Sequence, residues 1–379
     1  MYELYVRDQY FNRVAVIQDF QSFEAIIRFN APGTWVLELP TNCEAAKELV
    51  KKKSGIVVYK DGKPLLSGPV TGRNRKWSGG QDKLTVNGFD DMILLQRNLA
   101  LPRNNIFPFT YRDYDVRTGK AETVMKAFLN ANIGANASSE RRVEITTQAD
   151  TGLGFSVTGR ARYHTLLELF TSLALVGGDL GFRIVQKNNA LEFQVYKPTD
   201  KSKIAVFSPL QGNLLEFEYS TEDPEANYAI VGGGGEGKDR IILEKADSES
   251  ISNYGRIETF LDRRDTSDTV ELTQSLDEEL SSKSEKMSLS ITPIDTEMLA
   301  FGADYNVGDI VSVILADAND ITNVQKITDV VREIKLSLNQ DGSLVVPTLG
   351  TPDATSKKAS GIFTRLEKFH DRISHLERR

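Results

Sequence analysis

The sequence predicts an α+β protein that is mainly β, with two β units separated by an α+β unit and followed by a C-terminal amphipathic helix. Three observations carry this. Apolar and polar residues alternate with a period of two across residues 1–100 and again across residues 206–350. Residues 101–205 change to helical spacing followed by a hairpin. The last stretch places apolar residues at alternating spacings of four and three. A chain of 379 residues, at roughly 150 per domain, suits two or three such units.

In the first unit, Tyr2, Leu4 and Val6 alternate with polar neighbours, and a polar turn at residues 8–12 leads into residues 14–17. Residues 23–29 and 35–39 flank Ala31, Pro32 and Gly33, which is a hairpin signal. A short helix follows, expected to be capped by Thr41 or Asn42, with Ala45, Ala46, Leu49 and Val50 on its apolar face. Lys51, Lys52 and Lys53 suit its C-terminal dipole, and Gly55 stops it. Residues 56–59, the Asp61-Gly62 turn, Leu65, Leu66, Val70 and residues 84–86 complete six or so strands, a number that fits a closed barrel with few free edges.

The middle unit begins after a linker marked by Pro102 and Pro108. Residues 118–133 and 163–176 have helical spacing; in the second, Leu166, Leu169, Phe170, Leu173 and Ala174 share a face, and Gly177-Gly178 ends it. Residues 182–186 and 191–196, joined by Asn188-Asn189, form a hairpin. Strands return at residues 214–219, 228–231 and 240–243. A helical insertion around 265–287 presents Leu272, Leu276 and Leu280 on one side. Residues 289–293, 309–315, 328–338 and 344–349 finish the second β unit. Thr351 to Ser360 is a polar linker.

In the terminal helix, Ile362, Leu366, Phe369, Ile373 and Leu376 form an a/d seam of about two and a half heptads, and Arg372 and Glu377 are placed to pair between parallel helices. So short a helix is marginal alone. It either docks on its own domain or associates with copies of itself; the linker favours self-association.

Composition narrows the function. Hydrophobic residues are 40% and charged residues 26% of the chain, which excludes a disordered or collagenous protein. Cys43 is the single cysteine, so an intrachain disulfide framework and a cysteine zinc cluster are excluded. Two of three histidines, His370 and His375, lie in the last ten residues, which argues against a histidine-built catalytic or metal site. The N-terminus lacks the plan of a signal peptide, and no apolar run approaches the ~20 residues that span a bilayer. The expectation is a soluble chain made in the cytosol, with no stable membrane insertion. The net charge of −7 argues against a protein that coats nucleic acid. Charge is uneven: residues 1–110 hold 15 basic and 11 acidic side chains, residues 216–304 hold 22 acidic and 8 basic. Such a skew is either a solvated surface or a single-sign surface past which an anion slides without sticking.

Several motifs invite a chemical reading. Gly232, Gly233, Gly234, Gly235, Glu236, Gly237 and Lys238 match a dinucleotide fingerprint and a phosphate loop in spacing. Both need the loop to open a helix, but β-formers follow at residues 240–243, and Asp239 stands where Ser or Thr would reach magnesium. The better reading is a flexible hairpin loop able to approach another backbone at a subunit contact or to face a lumen. His164 reads as a surface or cap residue, and Trp35 and Trp77 as core or interface residues. Glu278-Glu279 and Asp304 with Asp309 are candidate carboxylate pairs, of a kind that arises by chance among 53 acids. No catalytic, cofactor or metal residues are assigned.

Together, residues 228–240 (YAIVGGGGEGKDR), residues 254–265 (YGRIETFLDRRD), residues 305–311 (YNVGDIV), residues 32–40 and residues 66–70 (LSGPV) resemble the siphophage baseplate hub, or tail-associated (tail-tip) protein, family, which is similar in fold to the hub of contractile tails. The resemblance covers nearly the whole chain. It implies a non-enzymatic structural virion protein in which residues 1–100 and 206–350 are tube-like β-barrels, residues 101–205 an insert and residues 351–379 a linker and trimerising helix. It also implies a homotrimer that closes the tail tube, with six similar barrels meeting a sixfold tube, and that opens for genome ejection. The implied partners are a distal tail protein, the tape-measure protein, and fibre, receptor-binding or spike proteins, with DNA only in transit. Many hubs carry a C-terminal peptidoglycan hydrolase, which this sequence does not show. A cell-wall hydrolase and a carbohydrate-binding tail-tip module stand as the alternative functions.

Overall fold

The computed structural model describes residues 1–102, 114–293, 299–316, 324–340 and 342–350. In chain order the elements are β1 (Tyr2–Arg7), β2 (Arg13–Val16), β3 (Ser22–Arg28), β4 (Thr34–Pro40), α1 (Glu44–Leu49), β5 (Gly55–Lys60), β6 (Lys63–Ser78), β7 (Gln81–Phe89), α2 (Ile93–Arg97), β8 (Asp115–Lys120), α3 (Ala121–Asn132), β9 (Ile145–Thr147), β10 (Ser156–Ala161), α4 (Leu166–Val176), β11 (Gly181–Lys187), β12 (Ala190–Tyr196) and β13 (Val206–Phe207). They continue with β14 (Leu214–Glu222), β15 (Tyr228–Gly232), β16 (Ile242–Ala246), α5 (Ser248–Tyr254), β17 (Glu258–Asp262), α6 (Thr269–Ser282), β18 (Lys286–Pro293), β19 (Ile310–Ala316), β20 (Val324–Asn339) and β21 (Gly342–Gly350). Two compact units result: one holds Met1–Ser208 and Asp295–Val346, the other Pro209–Ile294 and, of the described residues beyond it, 347–350. The fold is mainly β, as the alternation predicts.

In the first unit, strands follow the path β13-β19-β20-β3-β4-β7-β6-β5-β1-β2. Tight turns set the local pairings. Asp61 and Gly62, at φ of 51° and 73°, join β5 to β6, and Gly79 and Gly80, at 59° and 83°, join β6 to β7. The closed barrel expected of residues 1–100 does not form, and among the described residues no sheet closes on itself. The reason lies in β3, whose outer edge is taken by β20 from the far end of the sequence. Phe23, Ala25 and Ile27 stand opposite Leu338, Leu336 and Ile334, so apolar faces register on apolar faces. Arg28 closes that edge by donating from Nε to the Glu333 carboxylate at 2.9 Å. The helix expected to be capped by Thr41 or Asn42 has Cys43 at its N-cap position instead, one or two residues later, with no side-chain capping bond. Thr41 is committed instead to the Asp82 carbonyl, to which its amide donates at 3.2 Å.

The middle of this unit is built on one apolar cluster. The β8–β10 pair, α3, α4, and the β11–β12 hairpin with β9 parallel to β12 converge on Phe128, Phe170, Phe182 and Phe193, all within 1% of full burial. Each such ring contributes about 1.5–3 kcal/mol by leaving water. The apolar face predicted for α4 is buried as expected, and a capping box starts it: Thr165 Oγ accepts from the Glu168 amide while Glu168 accepts from the Thr165 amide.

In the second unit, β14 pairs antiparallel with β18, which also pairs with residues 348–350. A separate three-stranded sheet runs β16-β15-β17, with β15 and β17 parallel. Leu272 and Leu276 of α6 cover Ala229 and Val231 of that sheet. Seven elements have no counterpart in the sequence analysis because each is short or lacks clear periodicity: α2, β8, β9, β10, β13, α5 and β17.

Candidate functional site

The glycine-rich segment is a hairpin loop between β15 and β16, as its flanking β-formers predict, and its first half is packed rather than free. The Gly233 amide donates to the Ile241 carbonyl and the Gly234 amide to the Thr266 carbonyl, both at 2.8 Å. A Cβ on Gly233 would lie 2.6 Å from a Leu272 methyl, and one on Gly234 would lie 2.4 Å from Ser267 Oγ. Both positions therefore require glycine for close approach of the loop to the start of α6. The close backbone approach is met within the chain, by Thr266. Gly235, Glu236 and Gly237 form the exposed tip. The loop opens only a single 3-10 turn, and two of its amides are already engaged, so it does not form the anion cradle that its spacing suggests.

Around this loop the charged residues of the YGRIETFLDRRD segment are sorted into pairs. Arg240 donates to the carbonyls of Gly232 and Gly233 and to Asp262, and its guanidinium lies 5.6 Å from the Phe260 ring centroid. Arg264 also pairs with Asp262, at 3.3 Å. Arg263 holds Asp265 at 3.0 Å and reaches Ser275 of α6. Arg256 pairs with Glu258 at 2.7 Å and stacks 3.5 Å from the Tyr228 centroid. The motif thus locks β15, β17 and α6 together.

The YNVGDIV segment also braces the fold. Tyr305 is buried and meets Phe207 edge-on at 5.2 Å. Gly308, at φ of 88°, turns beneath Phe29 and Tyr196. Asp309 accepts from the Asn306 amide and from Lys201, while Asp304 accepts from the Ala300 amide. Glu279 accepts from Thr259 and Lys283, and Glu278 from Gln274. Each candidate carboxylate therefore organises a loop or a helix face. Among the described residues no three of His, Cys, Asp and Glu converge as a metal site, and no helix is long and apolar enough to cross a membrane. Trp35 is core, donating from Nε1 to the Phe89 carbonyl, whereas Trp77 is 71% exposed. The oligomerisation residues Ile362, Leu366, Phe369, Arg372, Ile373, Leu376 and Glu377 lie outside the described residues.

Two buried polar networks were not legible from local sequence. Arg7 grips Asp91, which also accepts from Ser67 Oγ, and Arg7 donates further to Gln186 Oε1 at 2.9 Å. In α3, Glu122 accepts from Lys126, Leu153 and Thr151. Burial opposes the Glu122 charge, but these donors outweigh it and hold the carboxyl below its usual range. Next to Asp91, the Asp90 carboxyl is pushed up to about 7, chiefly by burial and further by the Asp91 charge, against donation from the Gly33 and Met92 amides.

The fold and the candidate residues define a mainly β protein whose distinctive motifs brace its own elements. Comparison gives the family. Residues 3–351 match the sequence model of the siphovirus ReqiPepy6 Gp37-like protein, and the chain belongs to that family. The resemblance to phage tail proteins is borne out in fold. The chain is similar to the 43 kDa tail protein of prophage MuSo2 from Shewanella oneidensis, at 14% identity and a TM-score of 0.60, covering 93% of this chain and all of that one. It is also similar to a tail protein from Neisseria meningitidis MC58, at 12% identity and a TM-score of 0.57, over 93% and 97% of the two chains. A third likeness is prophage tail protein gp18 from Listeria monocytogenes EGD-e, at 12% identity and a TM-score of 0.55, over 97% and 98%. No curated protein sequence matches.

Proposed function

We propose that this chain is the structural baseplate hub of a phage tail, made in the host cytoplasm and built into the tail tip of the virion. Three copies close the distal end of the tail tube. The two β regions of each copy, residues 1–100 and 206–350, contribute six tube-like units to the ring and adapt threefold to sixfold symmetry. Residues 101–205 are the insert between them. The terminal helix joins the copies through Ile362, Leu366, Phe369, Ile373 and Leu376, with Arg372 and Glu377 pairing across the seam. The exposed tip of the glycine loop, Gly235 to Gly237, faces a neighbouring subunit or the lumen. A distal tail protein binds above, fibre, receptor-binding or spike proteins bind below, and the ring opens for the tape-measure protein and DNA. The acidic stretch 216–304 suits a wall that does not retain DNA. The chain performs no catalysis.

The observation that carries this reading is a single family match running across residues 3–351, together with a phage-tail fold spread over 93% of the chain. Light scattering of the purified chain tests it. The expected mass is three times 42.2 kDa, falling when residues 351–379 are removed. A chain that stays monomeric at micromolar concentration, or assembles with any other order, overturns it.

A further inference from the structure

Two exposed strand segments, one basic and one acidic, each carry large apolar side chains that their own unit leaves uncovered. The first is the outer half of the β6–β7 hairpin. From Thr71 to Ser78 every residue except Gly72 is exposed, and Trp77 stands 71% exposed at the end of β6. Between Thr71 and Thr85 this arm holds Arg73, Arg75, Lys76 and Lys83 against the single acid Asp82. Asp82 is taken by Arg75 and Lys83 is taken by Glu38, while Lys76 makes no ion pair among the described residues.

The second is β14. Among the described residues it is an edge strand, paired only with β18, and only Leu214 at its start is buried. Leu215, Phe217 and Tyr219 on one face are 66%, 46% and 40% exposed. Phe217 and Tyr219 stand opposite Ile291 and Leu289 of β18, which are buried, so an apolar face runs out of the core to the sheet edge and stops uncovered. On the other face Glu216 and Glu218 form no ion pair among the described residues, and β14 contains no base. A long, flat edge with uncovered aromatic side chains is a template for association unless something covers it.

We propose that the β6–β7 arm of one copy docks on the β14 edge of the next. Resting on the hub reading above, this assigns the surfaces through which neighbouring copies meet. Trp77 covers Phe217 and Tyr219, and Lys76, which points to the opposite side of the strand from Trp77, faces Glu216 and Glu218. Charge complementarity selects a second copy as the occupant, because the chain itself carries both the surplus cations and the surplus carboxylates in strands of matching length. The two surfaces are different, so the contact is head-to-tail and propagates around a ring until it closes. The aromatic side chains form the dry centre of the contact and the charges its rim.

The full chain supplies its own probe. Trp35 is 1% exposed and Trp77 is 71% exposed, so iodide quenching of tryptophan fluorescence reports mainly on Trp77. In the assembled protein Trp77 is shielded, and dilution to monomer exposes it. Lys76→Glu, or Glu216→Lys with Glu218→Lys, raises the midpoint concentration of assembly about tenfold or more. The chain carrying all three reversals regains assembly and shielding, which also demonstrates that the reversed strands fold. Assembly with Trp77 fully quenchable, or assembly indifferent to either reversal, overturns this contact and leaves the hub reading standing. A wild-type chain that remains monomeric removes the hub reading itself.

Discussion

Arg7 and Asp91, 84 residues apart, meet as a two-pronged ion pair with side chains only 5% and 3% exposed. Gln186 joins from 179 residues away from Arg7 and passes the network on to the Phe11 carbonyl through its Nε2. The pair therefore ties β1 to the segment before α2 and to β11. Removing one partner strands the other charge in a dry site, which costs about 3–5 kcal/mol. Asp91→Ala is expected to lower the urea midpoint sharply. Arg7→Met with Asp91→Leu, which removes both charges, is expected to cost much less. Equal losses in the two variants, measured by urea unfolding, would count against the network.

Asp90 makes stability depend on pH in an unusual direction for a carboxylate. Its folded value of about 7 lies above the ordinary value of 3.8, so the folded state holds a proton that the unfolded chain releases. The contribution is fully present below pH 4 and is lost as pH rises through 7. Thermal midpoints of the wild type should fall between pH 5 and 8 by more than those of Asp90→Asn. Parallel profiles for the two proteins would refute the assignment.

Glu122 works in the opposite sense. Its carboxyl is held below the usual range, so its contribution is present above pH 4.5 and is lost as pH falls through the lowered folded value. Glu122→Ala leaves Lys126 buried with only the Ala149 carbonyl and is expected to cost about 3–5 kcal/mol at neutral pH. At acid pH the gap to wild type should narrow, as followed by circular dichroism during heating.

The two halves of the glycine loop should respond differently. Gly233→Val forces a side chain onto Leu272 and the Thr266 carbonyl and is expected to cost about 1–3 kcal/mol. Gly237, at φ of 55° with open space around its Cβ position, should tolerate Ala for about 1 kcal/mol. Hydrogen exchange of the β15–β17 sheet separates the cases: Gly233→Val should raise exchange there, and Gly237→Ala should leave it nearly unchanged.

Much of the local structure could be read from residue order alone. The strands at residues 23–29 and 35–39, the Asp61-Gly62 turn, the apolar faces of α4 and α6 and the hairpin around Asn188-Asn189 all follow from periods of two and 3.6 and from residues that tolerate positive φ. Family resemblance was likewise written in linear motifs. The role of those motifs was not: Arg240, Asp262 and Gly232 become partners only when β15 and β17 lie parallel, a pairing that no turn between them specifies.

By itself the sequence determined most of the longer strands and helices and the acidic character of residues 216–304, because these depend on neighbours a few residues away. Only the tertiary structure decided that β3 pairs with β20 instead of completing a barrel within residues 1–100, that Arg7 finds Asp91, and that Phe217 and Tyr219 lie uncovered at an edge. Those outcomes depend on which sheet edges compete for one another across hundreds of residues. That competition is settled by complementary side-chain faces brought together in space, and local periodicity carries no information about it.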